Sequence, residues 1–320
     1  MVTEKGHMPT SLTEQPLLGG IEGGGTKFNC ILAYSPDQII AETRIETTTP
    51  QETLSNAIDF FHQKCDGKLS ALGLAIFGPL DLNPQSQTFG FLKSTPKKGW
   101  ENTDLLSPFK QAFELPVLLD TDVNGAAYGE YLWGAAQGLG TFLYLTVGTG
   151  IGGGVMANGS LLHGQTHPET GHILIPHDRT KDPFAGLCPF HQDCFEGLAS
   201  GPAIQARWGK PAETLPEGHP AWKLEAQYLA EALINYILTL SPQKIILGGG
   251  VMNASWLFPM IRDCVKERLN GYLIHPNLEE NIEEYIVPPG LGSQAGVLGA
   301  VGLAQKVLEQ EHHHYSAPPN

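Results

Sequence analysis

The sequence lacks any apolar run of the roughly 20 residues needed to span a bilayer, and its first residues lack the apolar stretch of a signal peptide. Positive charge is also scarce, with 19 Lys and Arg residues against 33 Asp and Glu residues and a formal net charge of −14. Such an acidic chain does not offer a surface that neutralises the phosphates of DNA or RNA. These absences predict a soluble, cytoplasmic protein with no membrane and no nucleic-acid partner.

Cysteine is sparse as well. The five cysteines of the 320-residue chain are too few, and odd in number, for a disulfide framework. We expect Cys30, Cys65 and Cys264 to be small buried apolar residues. Cys188 and Cys194 differ, because His191 lies midway between them.

Glycine is the informative excess, at 38 of 320 residues, about 12% against a typical ~7%. The pattern of strand, glycine turn and strand occurs twice, from Leu18 onward and again at 141–157. Strands alternating with helices, in two halves of one plan, predict an α/β fold with an internal duplication. The polar segments 1–17 and 309–320 are predicted to be disordered tails. The remaining predicted elements are helices at 51–63, 124–134, 222–240, 256–269 and 293–308, and strands at 70–77, 117–119 and 244–247.

Two glycine turns are candidate phosphate loops, one at 23–26 (GGGT) and one at 148–152 (GTGIG). Glycine lets a ligand approach the backbone closely, and the freed N–H groups can cradle phosphate. Each turn joins two strands instead of opening a helix, so neither is a Walker loop or a dinucleotide fingerprint. Either turn alone could be a plain hairpin, but two copies at the heads of two similar halves favour a nucleotide clasped between two lobes.

Two further glycine clusters could admit a nucleotide. Gly248, Gly249 and Gly250 end a buried strand, and ligands of open α/β sheets bind outside the carboxyl ends of the strands. The segment 292–296 begins the last helix and offers a similar surface. Packing glycines are the alternative in both places.

Asp122 is the best candidate for an acid or base. It follows a short strand and precedes a helix, where a carboxylate can point into a cleft. A hydroxyl that attacks a phosphoryl group needs a base within hydrogen-bond reach and little other covalent chemistry. Asp120 is the competing candidate, and Asp122 could instead cap the helix. Position alone leaves these alternatives open.

The residues His172, Cys188, His191 and Cys194 form a candidate metal site. Two thiolates and two imidazoles make a closed tetrahedral set, which is typical of structural zinc and unsuited to Mg²⁺. A pair of buried cysteines with a solvent-facing His is the alternative. His163, His167 and His177 lie nearby, and each could replace His172 as the fourth ligand.

These motifs, taken in order, resemble the ROK family of sugar kinases and repressors, and in particular its bacterial fructokinase subgroup. The resemblance covers 18–308. Most family members carry Cys-x-Cys-Gly-x₂-Gly-Cys, whereas this chain has Cys-x₂-His-x₂-Cys, a variant similar to the fructokinases. The motifs are GGIEGGGTKF at 19–28, FGPLDL at 77–82, TPKKGW at 95–100, TDVNGAAYGE at 121–130, TVGTGIGGGV at 146–155, HPETGH at 167–172, CPFHQDCFEGLASGPAI at 188–204 and ILGGGV at 246–251.

The resemblance implies an actin/hexokinase-like ATPase fold, made of two lobes that are duplicated ribonuclease-H-like domains. The N-terminal lobe would be 18–121, and the C-terminal lobe would be 122–308 with a zinc loop at 172–194. Asp122 is implied as the catalytic base, and Glu169, His172 and Glu196 as the sugar-binding residues, with His172 also a zinc ligand. The residues implied to bind the nucleotide are Gly23, Gly24, Gly25, Thr26, Thr149, Gly150, Pro202, Gly249, Gly250, Gly292 and Ala295.

The implied activity is ATP-dependent phosphorylation of D-fructose at O6, with ATP, Mg²⁺ and a structural Zn²⁺. A family hexokinase acting mainly on mannose or glucose is the first alternative. A sugar-sensing repressor is a remote alternative. It would need a helix-turn-helix domain before the first strand, where only about 17 residues are expected, and the net negative charge is unsuited to DNA. A zinc hydrolase would need an open metal position, which a four-ligand Cys/His set denies. The family usually forms dimers, so a homodimer is also implied.

Overall fold

A computed structural model describes residues 15–316, with side chains described to residue 311. Of the predicted disordered tails 1–17 and 309–320, residues 1–14 and 317–320 lie outside the described residues. The strands, in chain order, are β1 (Leu17–Gly23), β2 (Lys27–Ser35), β3 (Gln38–Glu46), β4 (Leu69–Ile76), β5 (Phe91–Leu92), β6 (Thr103–Asp104), β7 (Val117–Thr121), β8 (Phe142–Val147), β9 (Ile151–Ala157), β10 (Ser160–Leu161), β11 (Ile245–Gly248) and β12 (Ile286–Val287). The helices are α1 (Pro50–Lys64), α2 (Ser107–Phe113), α3 (Asp122–Trp133), α4 (Phe195–Ala199), α5 (Gly201–Trp208), α6 (Pro220–Leu240), α7 (Leu257–Leu269), α8 (Pro276–Glu279), α9 (Ile282–Tyr285) and α10 (Ala295–Ser316), with 3₁₀ turns at Thr170–His172, Ala212–Thr214, Gly250–Asn253 and Gly292–Gln294.

Two five-stranded sheets share one topology. The first has the order β3-β2-β1-β4-β7 and the second the order β10-β9-β8-β11-β12. In each, an antiparallel hairpin built around a glycine turn leads into two parallel strands. The structure thus confirms the predicted α/β duplication.

Burial explains which elements the sequence pattern revealed. Strands β1 and β4 are buried on both faces, so they read as continuous apolar runs. Strand β3 lies at the edge of the first sheet, where its residues alternate between exposed and half-buried. Because its sequence, QIIAETRIE, shows no continuous apolar run, sequence analysis missed this strand.

Helix α3 packs against both sheets. Its Ala126 and Ala127 contact a cluster that contains Ala75 of the first sheet and Tyr144 and Met156 of the second. The larger core of the second half lies under α6 and α7, and that of the first half lies under α1 and α2. Among the described residues, no helix combines the length and the apolar character needed to span a bilayer.

The packing and the length of helix α10 differ from two predicted boundaries, the division between the lobes and the end of the last helix. The division of the chain at 121/122 assigned it to the C-terminal lobe, but its Leu298, Val301 and Ala304 pack against Leu18 and Ala71 of the first sheet. It also continues to Ser316 instead of ending at Leu308, so residues 309–316 of the predicted disordered tail are helical. The sequence QKVLEQE at 305–311 consists largely of strong helix formers, and Gln305 donates a hydrogen bond to Glu309 one turn later (2.9 Å).

Candidate active site and metal centre

Asp122 is the first residue of α3, directly after the parallel strand β7. The helix is capped by Thr121, whose hydroxyl oxygen accepts a hydrogen bond from the backbone N–H of Asn124 at 3.1 Å. The interpretation of Asp122 as the helix cap is therefore wrong. Its carboxylate accepts the N–H of Val123 at 2.9 Å and lines a cavity.

Asp120, the competing candidate for the base, is buried and engaged on both oxygens. Its Oδ1 accepts hydrogen bonds from Asn124 Nδ2 (2.7 Å) and from the Thr121 N–H (2.8 Å). Its Oδ2 lies 2.9 Å from Nε2 of His163, and this hydrogen bond raises the pKa of His163. These bonds hold the start of α3 to the segment after β10, so Asp120 has a structural role.

The cavity beside Asp122 has a volume of about 430 Å³ and combines elements of both halves. It lies at the carboxyl ends of β1 and β11 and at the start of α10, the position expected for a ligand of an α/β sheet. Four of the residues predicted to bind a nucleotide line it, namely Gly249, Gly250, Gly292 and Ala295. Glycine is required at Gly249, where φ is 92° and a Cβ would overlap the carbonyl oxygen of Val147.

The other predicted nucleotide residues do not line this cavity. Gly24, Gly25 and Thr26 form the turn between β1 and β2, while Gly23 packs in the first core, where a Cβ would lie 2.6 Å from Ile76 Cδ1. Thr149 and Gly150 form the turn between β8 and β9, and Pro202 lies in the first turn of α5. The second turn adjoins the cavity, because a Cβ on Gly148 would lie 3.7 Å from the backbone nitrogen of Gly250.

Glu22 was not among the predicted site residues, yet it precedes the first glycine turn and lines the cavity together with Asp122. Its carboxylate accepts a hydrogen bond from Asn29 Nδ2 at 2.7 Å. A charged residue inside the otherwise apolar and glycine-rich strand LLGGIEG was a usable signal, since a charge in a buried strand needs a partner or a ligand.

Two carboxylates of the site, Asp122 and Glu169, have raised pKa values. Burial raises the pKa of Asp122 to about 6, and the charge of Glu22 adds to this effect. Burial likewise raises the pKa of Glu169 to about 7, with contributions from the charges of Glu196 and Asp122. The charges of Asp122 and Glu196 therefore both act on Glu169, and carboxylates with perturbed pKa values in a cleft are typical of functional sites.

The candidate metal ligands converge. One ligand atom from each of His172, Cys188, His191 and Cys194 lies within 4.8 Å of all the others. The Sγ atoms of Cys188 and Cys194 lie 3.7 and 3.6 Å from Nδ1 of His172, and Cys188 Sγ lies 3.7 Å from Nδ1 of His191. In a tetrahedral zinc site with usual bond lengths, adjacent S and N ligands are separated by about 3.6 Å. The arrangement therefore fits a tetrahedral metal ion.

Backbone hydrogen bonds and two glycines shape the loop that carries these ligands. Cys188 and Gln192 exchange two backbone hydrogen bonds (3.2 and 2.9 Å), which turn His191 toward Cys188. A Cβ on Gly186 or Gly197 would overlap the carbonyl oxygen of Gln192. Both positions therefore need glycine, because the backbone at 186 and at 197 packs directly against the backbone of Gln192.

The three alternative fourth ligands lie elsewhere. His163 is bonded to Asp120, as described above. His167 is buried and its Nε2 accepts the backbone N–H of Leu80 at 3.0 Å. His177 contacts Asp193 (3.1 Å) and the carbonyl oxygen of Asp182 (3.0 Å). Among the described residues, His172 is the histidine that completes the set with Cys188, His191 and Cys194.

His172 joins the metal cluster to the cleft. Its Nδ1 faces the two thiols, and its Nε2 lies 3.9 Å from Oε1 of Glu196. The other oxygen of Glu196 accepts the backbone N–H of Ile151 at 2.9 Å, next to the second glycine turn. Glu196 thus links the metal loop to the turn between β8 and β9.

Comparisons with known proteins find relatives that match most of the chain. The model of the ROK family matches residues 18–307. A Bacillus subtilis (strain 168) protein whose name assigns it provisionally to the fructokinases is 48% identical over 92% of this chain and 97% of its own length. The fructokinase of Zymomonas mobilis subsp. mobilis is 44% identical over 91% of this chain and 97% of its own length.

A crystal structure supports the fold. The ROK family glucokinase from Streptomyces griseus, solved in complex with glucose and AMPPNP, superposes with a TM-score of 0.71 at 24% identity, covering 91% of this chain and 99% of that one. This likeness, together with the family match, confirms the predicted two-lobed kinase fold.

The electrostatics of the cavity can be tested through Glu22. We expect Glu22→Gln to lower the pKa of Asp122 from about 6, because it removes a neighbouring negative charge. The pKa should stay above the ordinary value of about 3.9, since burial remains. A carboxyl-carbon NMR titration measures this pKa. The matched control is Glu42→Gln on the exposed edge strand β3, and equal titration curves for both variants would contradict the expected contact.

Proposed function

The chain belongs to the ROK family, and we propose that it is a fructokinase, which transfers the γ-phosphoryl group of ATP to O6 of D-fructose to give fructose 6-phosphate and ADP. The observation that carries this proposal is the position of Asp122. Its carboxylate borders the cavity lined by Gly249, Gly250 and Gly292 and also interacts electrostatically with Glu169. A base between a nucleotide site and a sugar site is what phosphoryl transfer to a hydroxyl requires.

The cavity is the proposed binding site for ATP. Its volume suits a small-molecule ligand, and glycines at 248–250 and 292 leave its wall open to a base or ribose. The two glycine turns, with Gly24, Gly25, Thr26, Thr149 and Gly150, are proposed to donate backbone N–H groups to the phosphates, although they do not line the cavity itself. The related glucokinase complex with AMPPNP supports ATP as the donor.

Mg²⁺ is the metal proposed for the reaction. The carboxylates of Glu22 and Asp122 face the cavity, and carboxylate oxygens suit this hard cation, which usually keeps several waters and binds through one or two carboxylates. Glu22 is proposed as the carboxylate that holds it. When bound, Mg²⁺ neutralises phosphate charge in the transition state.

Asp122 is proposed as the general base that accepts the proton of the O6 hydroxyl as the phosphoryl group is transferred. A base works best with a pKa near the working pH, and that of Asp122 is raised by burial to about 6. It is ionised at neutral pH and basic enough to accept a proton in the transition state. The rest of catalysis comes from holding the two substrates in line.

Glu169, His172 and Glu196 are proposed to bind the sugar. The charges of Asp122 and Glu196 act on Glu169, and Nε2 of His172 lies 3.9 Å from Oε1 of Glu196. Carboxylates and an imidazole grouped in this way can pair with vicinal hydroxyls. A site built to hydrogen-bond particular hydroxyls discriminates against sugars that leave its polar groups unpaired. The preference for fructose rests on the relatives named as fructokinases.

A structural Zn²⁺ is proposed at His172, Cys188, His191 and Cys194. The spacing of the ligand atoms supports it, and two sulfurs with two imidazole nitrogens match the preference of zinc. The metal would fix the His172 ring by holding its Nδ1, which leaves Nε2 for Glu196 and the sugar.

A homodimer is proposed on the family resemblance alone, and the use of ATP supports a cytoplasmic location.

The sugar preference tests the function. We expect D-fructose to have the highest kcat/KM, with mannose slower and glucose poor, by about tenfold to 200-fold. The measurement is a steady-state assay of ADP release over the three sugars at saturating Mg-ATP. If glucose equals or exceeds fructose, a glucokinase-like assignment replaces this one, and if no sugar is phosphorylated the kinase proposal itself is wrong.

The role of Asp122 predicts a specific loss. We expect Asp122→Asn to lose about 10²–10⁴ of the turnover, while it keeps its fold and its affinity for nucleotide. The wild-type rate should fall as the pH drops below about 6, where the carboxylate becomes protonated.

Stability provides the control for this variant. The folded-state pKa of Asp122 is raised, so its contribution favours folding at low pH and is lost as the pH rises through about 6. Asp122→Asn should therefore melt no lower than the wild type at pH 8.

If Asp122→Asn keeps more than about a third of the wild-type kcat, Asp122 is not the base.

The metal centre predicts about one zinc ion per chain in protein purified without chelator, measured by elemental analysis. Cys188→Ser and Cys194→Ser should lose the metal and weaken fructose binding together, because His172 connects the two sites. The matched control is Cys264→Ser, a half-buried cysteine on α7, which should keep both. Active enzyme with less than about 0.2 zinc per chain would contradict the assignment.

A further inference from the structure

Glu130 is a fully buried carboxylate on α3 that the reaction described above does not use. Its Oε2 accepts backbone N–H groups from Ala135 (2.6 Å) and Gly290 (2.9 Å), and its Oε1 accepts the N–H of Leu291 (2.9 Å). Among the described residues it has no ion-pair partner. Three backbone donors therefore compensate its buried charge.

Two of these donors lie in a segment that forms the cavity wall. Pro288 and Pro289 line the cavity on one side of them, and Gly292 and Ser293 line it on the other. The peptide N–H groups of 290 and 291 between these stretches point to Glu130. The carboxylate thus holds the connection from β12 to α10 from behind, without lining the cavity itself.

The contact is close and leaves little room for adjustment. A Cβ on Gly290 would lie 2.6 Å from the backbone nitrogen of Ala135, so the backbone of the wall segment packs directly against the backbone at the end of α3.

Glu130 also lies near the cavity electrostatically. Burial and the charge of Glu130 raise the pKa of Tyr144, which lines the cavity. Glu130 lies eight residues after Asp122, about 12 Å along the same helix.

We propose that Glu130 is a positioning residue for the nucleotide: it fixes the wall at 288–293 relative to the helix that begins with Asp122, and so sets nucleotide affinity without touching the nucleotide. This inference rests on the proposed function, because it takes the cavity as the ATP site. A carboxylate is needed there, since glutamine has one acceptor oxygen and its NH₂ group would face a backbone N–H donor.

The test is the binding of AMPPNP with Mg²⁺, and separately of D-fructose, to the full-length chain by calorimetry. Glu130→Gln should weaken AMPPNP binding by about tenfold or more, as expected when a buried donor loses its acceptor. Its fructose affinity should remain within about twofold of the wild type, because neither Glu169 nor Glu196 is among the residues that line the cavity beside this wall. Hydrogen exchange at the amides of 290 and 291 should become faster.

The matched control is Glu225→Gln. Glu225 is also a buried carboxylate, on α6, and burial raises its pKa well above the ordinary value. Its amide isostere should leave both affinities unchanged. Glu130→Asp is the second variant; it retains the charge but is too short to reach all three donors.

The outcomes separate this inference from the proposed function. If the wild type binds AMPPNP and Glu130→Gln binds it equally well while only its melting temperature falls, Glu130 is merely structural and the inference is wrong. If nucleotide and fructose affinities fall together, the residue acts on the whole cleft and the inference is also wrong. If neither Glu130 variant folds, the carboxylate serves the fold and the inference is rejected. If the wild type itself binds no nucleotide, the proposed function and this inference both fail.

Discussion

Backbone contact between α10 and the first half of the molecule is the constraint on which the site depends. A Cβ on Gly73 of β4 would overlap the carbonyl oxygen of Ala300, and a Cβ on Gly299 would overlap that of Gly125 in α3. Only glycine permits these approaches. Since α3 begins at Asp122 and α10 begins at the cavity wall, this packing sets the distance between the candidate base and the candidate nucleotide site.

The candidate metal loop imposes a second constraint, on the side of the cleft proposed to bind the sugar. It runs from His172 to Cys194, and its four candidate ligands bring the start and the end of this irregular segment together. Glu196 follows the last ligand and bonds to Ile151, so the loop is attached to the turn between β8 and β9. A closed Cys/His set is suited to such a structural task, and it explains how an irregular segment can present polar groups in fixed positions.

The cleft collects negative charge that folding alone would not favour. Burial disfavours the ionised forms of Asp122 and Glu169, and neighbouring negative charges add to this cost: that of Glu22 for Asp122, and those of Glu196 and Asp122 for Glu169. Groups with such perturbed pKa values are typical of sites selected for chemistry. The contrast with Asp120, whose two oxygens are satisfied by Asn124, Thr121 and His163, shows the same residue type used for structure two positions away.

Local features were readable from the sequence because they depend on neighbours along the chain. The repeated glycine turns, the alternation of strands and helices, and the Cys-x₂-His-x₂-Cys spacing predicted the duplicated fold and three of the four candidate metal ligands. Contacts between distant segments decided the rest. The residue pattern alone left four histidines open as the fourth ligand and two aspartates open as the base, and the family resemblance favoured His172 and Asp122. The grouping of His172 with Cys188, His191 and Cys194, the bond between Asp120 and His163, and the placement of Glu22 in the cavity depend on segments far apart in the chain meeting in space. Helix α10 packs on the first sheet for the same reason: its small residues fit β4 and α3, and their spacing within the helix does not reveal which sheet they will cover.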